Sequence, residues 1–174
     1  MDRAFLLIKP EASNREDDIV YSITQAGYKV FNRRRVRLSP EQATEFWSIY
    51  QNDEAFEELI EKMTSGPVVA LALLRYSAIA GLQELVGPTD PAQAKKESPT
   101  SLRARYGVDE LANGFHFSDS ADSAAREILF FFPDTETETY PSLEKAKALL
   151  ERSLYPTLTQ GLTQLCKEKP ENPT

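Results

Sequence analysis

Ser65-Gly66-Pro67-Val68-Val69-Ala70-Leu71-Ala72-Leu73-Leu74, read SGPVVALALL, joins a turn signal to the longest apolar run of the chain. The turn ends at proline, and the run from Val68 to Leu74 is apolar at every position, so it reads as a strand covered on both faces at the centre of a sheet. It is far too short to cross a bilayer, which takes about 20 apolar residues. A central strand needs neighbours on either side and helices above and below.

The neighbours are legible on the amino-terminal side. Ala4 to Ile8 is a second short apolar run, stopped by Lys9-Pro10, and reads as a buried strand ending at a polar corner. Ile19, Val20, Ile23 and Ala26 recur at helical spacing, with Gly27 as the stop. Tyr28 to Leu38 predicts another strand, whose Arg33, Arg34, Arg35 and Arg37 suit an exposed edge protected by charge. Ser39-Pro40-Glu41-Gln42 fits a capping box with proline at the first helical position, opening a helix in which Ala43, Phe46, Trp47 and Tyr50 share a face. A further helix is expected around Ala55 to Met63.

On the carboxy-terminal side, Ile79, Leu82, Leu85 and Val86 mark a helix broken by Gly87-Pro88. Thr89 to Ser98 is polar and reads as a long loop of the kind that often carries function. Thr100 to Tyr106 predicts a short helical piece. Ala121, Ala124, Ala125, Ile128, Leu129 and Phe132 form the last stripe before Pro133. The order β, α, β, αα, β, α, loop, β, α predicts an α/β (α+β) fold: a ferredoxin-like split β-α-β sandwich on a mostly antiparallel four-stranded sheet.

Three segments follow: a domain over 1–133, an acidic threonine-rich linker over 134–142, and a helical tail over 143–174. In the tail Leu143, Ala146, Leu149, Leu150, Leu154, Leu158, Leu162 and Leu165 make an amphipathic stripe, interrupted or kinked at Pro156. So short a segment has no core of its own, so the stripe is expected to pack on a partner or on a second copy.

Bulk properties exclude several function classes. With 174 residues and a formal charge of −7, the chain suits one main domain and lacks the positive field that nucleic acid or an anionic membrane would require. The lone Cys166 rules out an intrachain disulfide and suits a reducing compartment. The start, Met1-Asp2-Arg3, has no signal-peptide layout, and the expectation is a cytoplasmic protein.

The chemistry gathers at Asn113-Gly114-Phe115-His116-Phe117-Ser118-Asp119-Ser120, which holds the chain's one histidine. One reading is a buried histidine satisfied by the backbone, with Ser118 or Asp119 capping the next helix. The other is a phosphoryl acceptor: one ring nitrogen is held by a carboxylate or hydroxyl, cations and amides hold the phosphates, and the flanking phenylalanines partly desolvate the ring. Lys9, Thr89, Arg103, Asn113 and Glu127 are the residue types that this second reading needs.

With these motifs in order, the chain resembles the nucleoside diphosphate kinase family from about Arg3 to Pro133. The resemblance rests on Asn113, His116, Ser118, Asp119 and Ser120 in the Asn-x-x-His-x-Ser-Asp-Ser pattern, on LLIKPEA at Leu6 to Ala12, and on SGPVVALAL at Ser65 to Leu73. It implies that His116 is a phosphohistidine nucleophile in a ping-pong transfer between nucleoside triphosphates and diphosphates. It further implies that Glu127 and Ser118 orient the imidazole, that Lys9, Thr89, Arg103 and Asn113 bind phosphates and ribose, and that Mg2+ arrives with the nucleotide. Trp47 stands where the family has a helical tyrosine, and Phe56 is adjacent to the base-stacking position, which is Ala55 here. Gln83 replaces a phosphate-binding arginine, Phe117 replaces the glycine after the histidine, and the loop from Thr89 is longer. One charge-assisted contact is worth about 1.5–3 kcal/mol and a stacking platform about 1–3 kcal/mol, so transfer through His116 is expected to be weak or absent.

Leu154 to Pro173, LYPTLTQGLTQLCKEKPENP, resembles the first helix and following turn of the Dpy-30 dimerisation and docking motif. A kinase-like domain joined to that tail is the layout of family members in the radial spokes of cilia and flagella. It implies an axonemal, cytoskeletal setting in support of motility, with other radial spoke proteins or a second copy as partners. The alternative is an active nucleoside diphosphate kinase.

Overall fold

The computed structural model describes residues 1–135 together with Thr159 and Thr163. The run that opens SGPVVALALL is strand β3, Val68–Arg75, interior to a four-stranded sheet ordered β2-β3-β1-β4. β1 spans Asp2–Ile8, β2 Lys29–Val36 and β4 Phe115–Phe117. All three pairings are antiparallel, with β1 running beside β3 from Asp2↔Arg75 to Ile8↔Val69. The expected antiparallel α/β sandwich is the observed fold.

Alternation along the strands divides the core into two layers, because successive side chains leave opposite faces. Leu6, Ile8, Leu71 and Leu73 face one layer, where they meet Ile19 and Ile23 of α1 (Glu16–Gln25) and Leu82 and Val86 of α4 (Ala78–Val86). Phe5, Leu7, Ala70 and Ala72 face the other, against Ala43 of α2 (Pro40–Phe46), Met63 of α3 (Phe56–Thr64) and Ile128 and Phe131 of α7 (Ala121–Phe131). A strand packed on both sides must be apolar at every position, which is why β3 shows no alternation in sequence.

Local signals set the element ends. The Ser39 capping box forms as expected: its hydroxyl accepts from the Gln42 N–H while the Gln42 side chain accepts from the Ser39 N–H. Gly27, at φ +85°, ends α1 in the left-handed region that favours glycine. β2 is an edge strand with a bulge between Val30 and Asn32. Part of its arginine run is tied down: Arg33 pairs with Glu16 and Asp17, Arg35 with Glu16, and Arg34 donates to the Phe131 carbonyl.

The segment from Thr89 to Ser98 departs from expectation, because a helix, α5 (Pro91–Glu97), occupies most of it. Asp90 caps α5 by accepting from the N–H groups of Ala92 and Gln93, and Pro91 takes the first turn. Only Pro91 and Ala94 are buried, so no apolar period announces the helix. The expected short piece is α6, Leu102–Tyr106, capped by Ser101. A short 3-10 helix at Pro10–Arg15 was not indicated by the sequence pattern.

The chain divides after Thr135 into two units. The predicted linker beyond Thr135 and the predicted tail fall outside the described residues, apart from Thr159 and Thr163; the Thr163 hydroxyl donates to the Thr159 carbonyl at 2.7 Å. Among the described residues no helix is long and apolar enough to cross a membrane.

Candidate active site

β4 lays its three residues antiparallel to β1, with His116 opposite Leu7. The strand is entered through Gly114 at φ +85°, whose carbonyl accepts from the Lys9 N–H at 2.9 Å and whose N–H donates to the Glu11 carboxylate at 2.8 Å. β4 is left through Ser118, which locks the sheet edge: its hydroxyl accepts from the Phe5 N–H at 2.9 Å and donates to the Phe5 carbonyl at 3.3 Å. Ser118, expected to orient the imidazole, thus has its hydroxyl bonded to the β1 backbone. Its hydroxyl is buried, and an unpaired backbone amide is the nearest costly alternative.

The cap of α7 is Ser120, accepting from the Ser123 N–H, rather than Ser118 or Asp119. Seven residues into this frame, Glu127 reaches back, and its Oε1 lies 3.0 Å from His116 Nε2. A carboxylate only accepts, so Nε2 is the donor, and in the neutral ring Nδ1 is then the nitrogen with a lone pair. Glu127 is 5% exposed, and its Oε2 has no hydrogen-bond partner.

The rings against His116 come from elsewhere than expected. Phe46 meets it edge-on at 5.4 Å and Trp47 at 6.2 Å, with Phe5 at 6.5 Å. Phe115 and Phe117 pack in or against the opposite layer, because neighbours along a strand leave opposite faces. Desolvation of the imidazole by its flanking phenylalanines is thus replaced by packing from α2 and β1.

A cavity of about 500 Å³ opens at His116. Lys9, Trp47, Phe56, Thr89, Arg103 and Asn113 also line it, so the structure brings together every expected nucleotide-binding residue. Glu127 and Ser118 are not on the wall. Ala55 and the adjacent Phe56 both are, whereas Gln83 is exposed on α4 and does not line the cavity. Phe115, Phe117 and Asp119 of the histidine motif also line the wall, as do Tyr50, Asp53, Leu59, Glu110 and Leu111, which were not proposed as site residues from sequence. Leu59 could have been found three residues beyond Phe56 on the same helical face; the others had no such signal.

Burial conditions the two cations. Lys9 is 6% exposed, its ammonium donates to the Leu111 carbonyl at 3.0 Å, and desolvation pushes its pKa down to about 8. Arg103 is 4% exposed and donates to the carbonyls of Gly87 at 2.7 Å, Pro88 at 3.2 Å and Phe115 at 3.1 Å, with its pKa lowered by burial to about 10. Its guanidinium braces the α4 end, the following turn and β4, leaving Nε as the one nitrogen without a partner. The Asn113 amide donates to the Glu110 carbonyl at 3.0 Å, and its buried Oδ1 is unpaired, as suits a ligand hydroxyl.

A pH dependence follows from Lys9. Between about pH 8 and its unfolded value of 10.5, the folded chain binds fewer protons there than the unfolded chain. The cost of burying its charge is thus fully present below about pH 8 and is relieved as pH rises through that window. With Lys9 in its expected phosphate-binding role, nucleotide affinity should fall above about pH 8, approaching one decade per pH unit. Titration of Trp47 fluorescence, from the one tryptophan of the chain, checks this, and Lys9→Met should flatten the profile.

Magnesium fits this wall only as a companion of phosphate. Among the described residues no group of three or more His, Cys, Asp or Glu side chains could hold a metal ion. Asp119 offers a carboxylate at the cavity, in keeping with a cation that keeps most of its waters and phosphate ligands.

Comparison with known proteins agrees with this geometry. The family profile described as nucleoside diphosphate kinase matches residues 2–137, and the Dpy-30 motif matches residues 145–174. Nucleoside diphosphate kinase homolog 5 of Danio rerio is 43% identical over 173 residues, which is 99% of this chain and 80% of the relative. The Homo sapiens protein of the same name is 40% identical, over 99% of this chain and 82% of its own length. Among solved structures, the Aquifex aeolicus nucleoside diphosphate kinase superposes with a TM-score of 0.73 at 38% identity, covering 75% of this chain and 94% of that one. The Halobacterium salinarum enzyme, solved in complex with CDP, gives 0.69 at 31% identity, covering 75% and 87%.

Proposed function

Because the chain belongs to the nucleoside diphosphate kinase family, we propose that it is a component of the ciliary and flagellar radial spoke built on that domain, with slow phosphoryl transfer through His116. The observation that carries the site reading is the His116–Glu127 pair at 3.0 Å, set on a cavity whose wall also holds Lys9, Thr89, Arg103 and Asn113. What slows it is equally specific: Gln83 lies outside the cavity, Ala55 takes part in the wall, and the Arg103 terminal nitrogens already serve three carbonyls.

The transfer runs as follows. Lys9 and Asn113 hold the phosphates and sugar, and the Nδ1 lone pair attacks the γ-phosphorus. An N–P bond forms as the bond from phosphorus to the bridging oxygen breaks, and the nucleoside diphosphate departs with that electron pair. The ring gains positive charge, which Glu127 balances through Nε2–H. A second nucleoside diphosphate then takes the phosphoryl group by the reverse path. Magnesium, when bound, neutralises phosphate charge.

The axonemal part of the proposal is supported by the pairing of the kinase-like domain with a Dpy-30 segment. The tail would hold an amphipathic helix of another spoke protein or a second copy of the chain. Cross-linking in isolated axonemes should recover the protein with spoke components, and a wholly soluble cytoplasmic distribution would refute the placement. The alternative, an efficient nucleoside diphosphate kinase, is favoured by the intact His116–Glu127 pair. Incubation with γ-labelled ATP and magnesium decides between them. Slow accumulation of acid-labile phosphoprotein that chases poorly onto GDP supports the proposal, and rapid stoichiometric labelling with full chase supports the alternative.

A further inference from the structure

We infer that Lys62 is a positioning residue for nucleotide binding, tying together two walls of the cavity that no shared secondary structure connects. The inference rests on the nucleotide reading above. One wall is α3, which presents Phe56 and Leu59; the other is the turn after α6, which presents Glu110 and Leu111. Phe56, Leu59 and Leu111 among them supply apolar surface on which a base would rest.

Lys62 stands one helical turn beyond Leu59, and its Nζ is 3.6 Å from Glu58 on its own helix and 3.6 Å from Asp109 across the gap. Asp109 is itself fixed, since its Oδ1 accepts from the N–H groups of Leu111 at 2.9 Å and Ala112 at 2.7 Å. The Ala112 N–H contributes most to holding the Asp109 carboxyl below the usual carboxylate range, so the partner of Lys62 remains charged. The same turn reaches the phosphate end, where the Leu111 carbonyl accepts from Lys9. Lys62 therefore sets where Leu111 stands relative to Phe56 and Leu59, without touching a bound nucleotide.

The test uses the full chain, Trp47 fluorescence with Mg-ADP as the probe, and phosphoramidate as a phosphoryl donor that has no base. In the phosphoramidate reaction the P–N bond breaks, ammonia leaves and the phosphoryl group passes to His116. Lys62→Met should raise the Mg-ADP Kd about three- to fivefold, the upper part of the range an exposed ion pair spans, while phosphoramidate labelling changes by a smaller factor. Lys62→Arg should restore the affinity. A Lys62→Met protein that binds Mg-ADP like wild type, or that loses phosphoramidate labelling in parallel, overturns the inference alone. Wild-type protein that binds no Mg-ADP overturns the nucleotide reading and this inference with it.

Discussion

His116→Ala should yield no acid-labile phosphoprotein from γ-labelled ATP, and Glu127→Ala or Glu127→Gln should yield it at about one-hundredth of the wild-type rate or less. In the proposed transfer the first change removes the attacking atom. The second leaves it in place but removes the carboxylate 3.0 Å from Nε2, which selects the tautomer and balances the charge that develops on the ring; positioned groups of this kind contribute about 10²–10⁴-fold. Glutamine keeps the size and can donate to Nε2, favouring the tautomer whose Nδ1 carries a proton and cannot attack. Stability should move little in Glu127→Gln, by about 1 kcal/mol or less, because the carboxylate is buried with Oε2 unpaired. Rapid-quench labelling beside thermal unfolding separates the two effects. A Glu127→Gln protein labelled at the wild-type rate would falsify the role given to the pair.

Phe5→Ala is expected to cost about 3–5 kcal/mol, within reach of a marginal domain's whole stability. Phe5 is fully buried in the layer beneath His116, stacked on Phe131 at 5.3 Å and packed on Phe46 at 6.0 Å. Its backbone N–H and carbonyl are both bonded to the Ser118 hydroxyl. Truncation leaves a cavity that β1, α2 and α7 cannot close without moving the strand that carries His116. Urea unfolding should show a much lower midpoint, and Phe5→Leu should recover most of the loss. A Phe5→Ala cost under about 1 kcal/mol would mean that this ring is not what holds β1 against α2 and α7.

The central strand, the two amino-terminal strands and most helices were legible because each is announced within a few residues. Val68 to Leu74 shows an unbroken apolar run, Ser39 to Gln42 a reciprocal cap, and Gly27 a left-handed stop. α5 escaped because two buried residues make no period and its signal lies in Asp90-Pro91 alone. The site residues were legible for a different reason. Asn113, His116, Ser118 and Asp119 lie close together in the chain, and Lys9 follows directly on a strand, so they fall within the short motifs that carry the family resemblance.

The roles within the site divide differently. Chain-local chemistry nominated the histidine, the carboxylate eleven positions on, and the cations. Tertiary contact alone decided that Ser118 serves the Phe5 backbone across 113 residues, that Phe46 and Trp47 rather than Phe115 and Phe117 pack on the imidazole, and that Arg103 is spent on three carbonyls. Periodicity, caps and motifs act over one or two turns of chain, and a single sequence displays them. A hydroxyl, ring or guanidinium has several partners within reach of its type, and only the register of β1 against β4 and the packing of α2 and α7 choose among them.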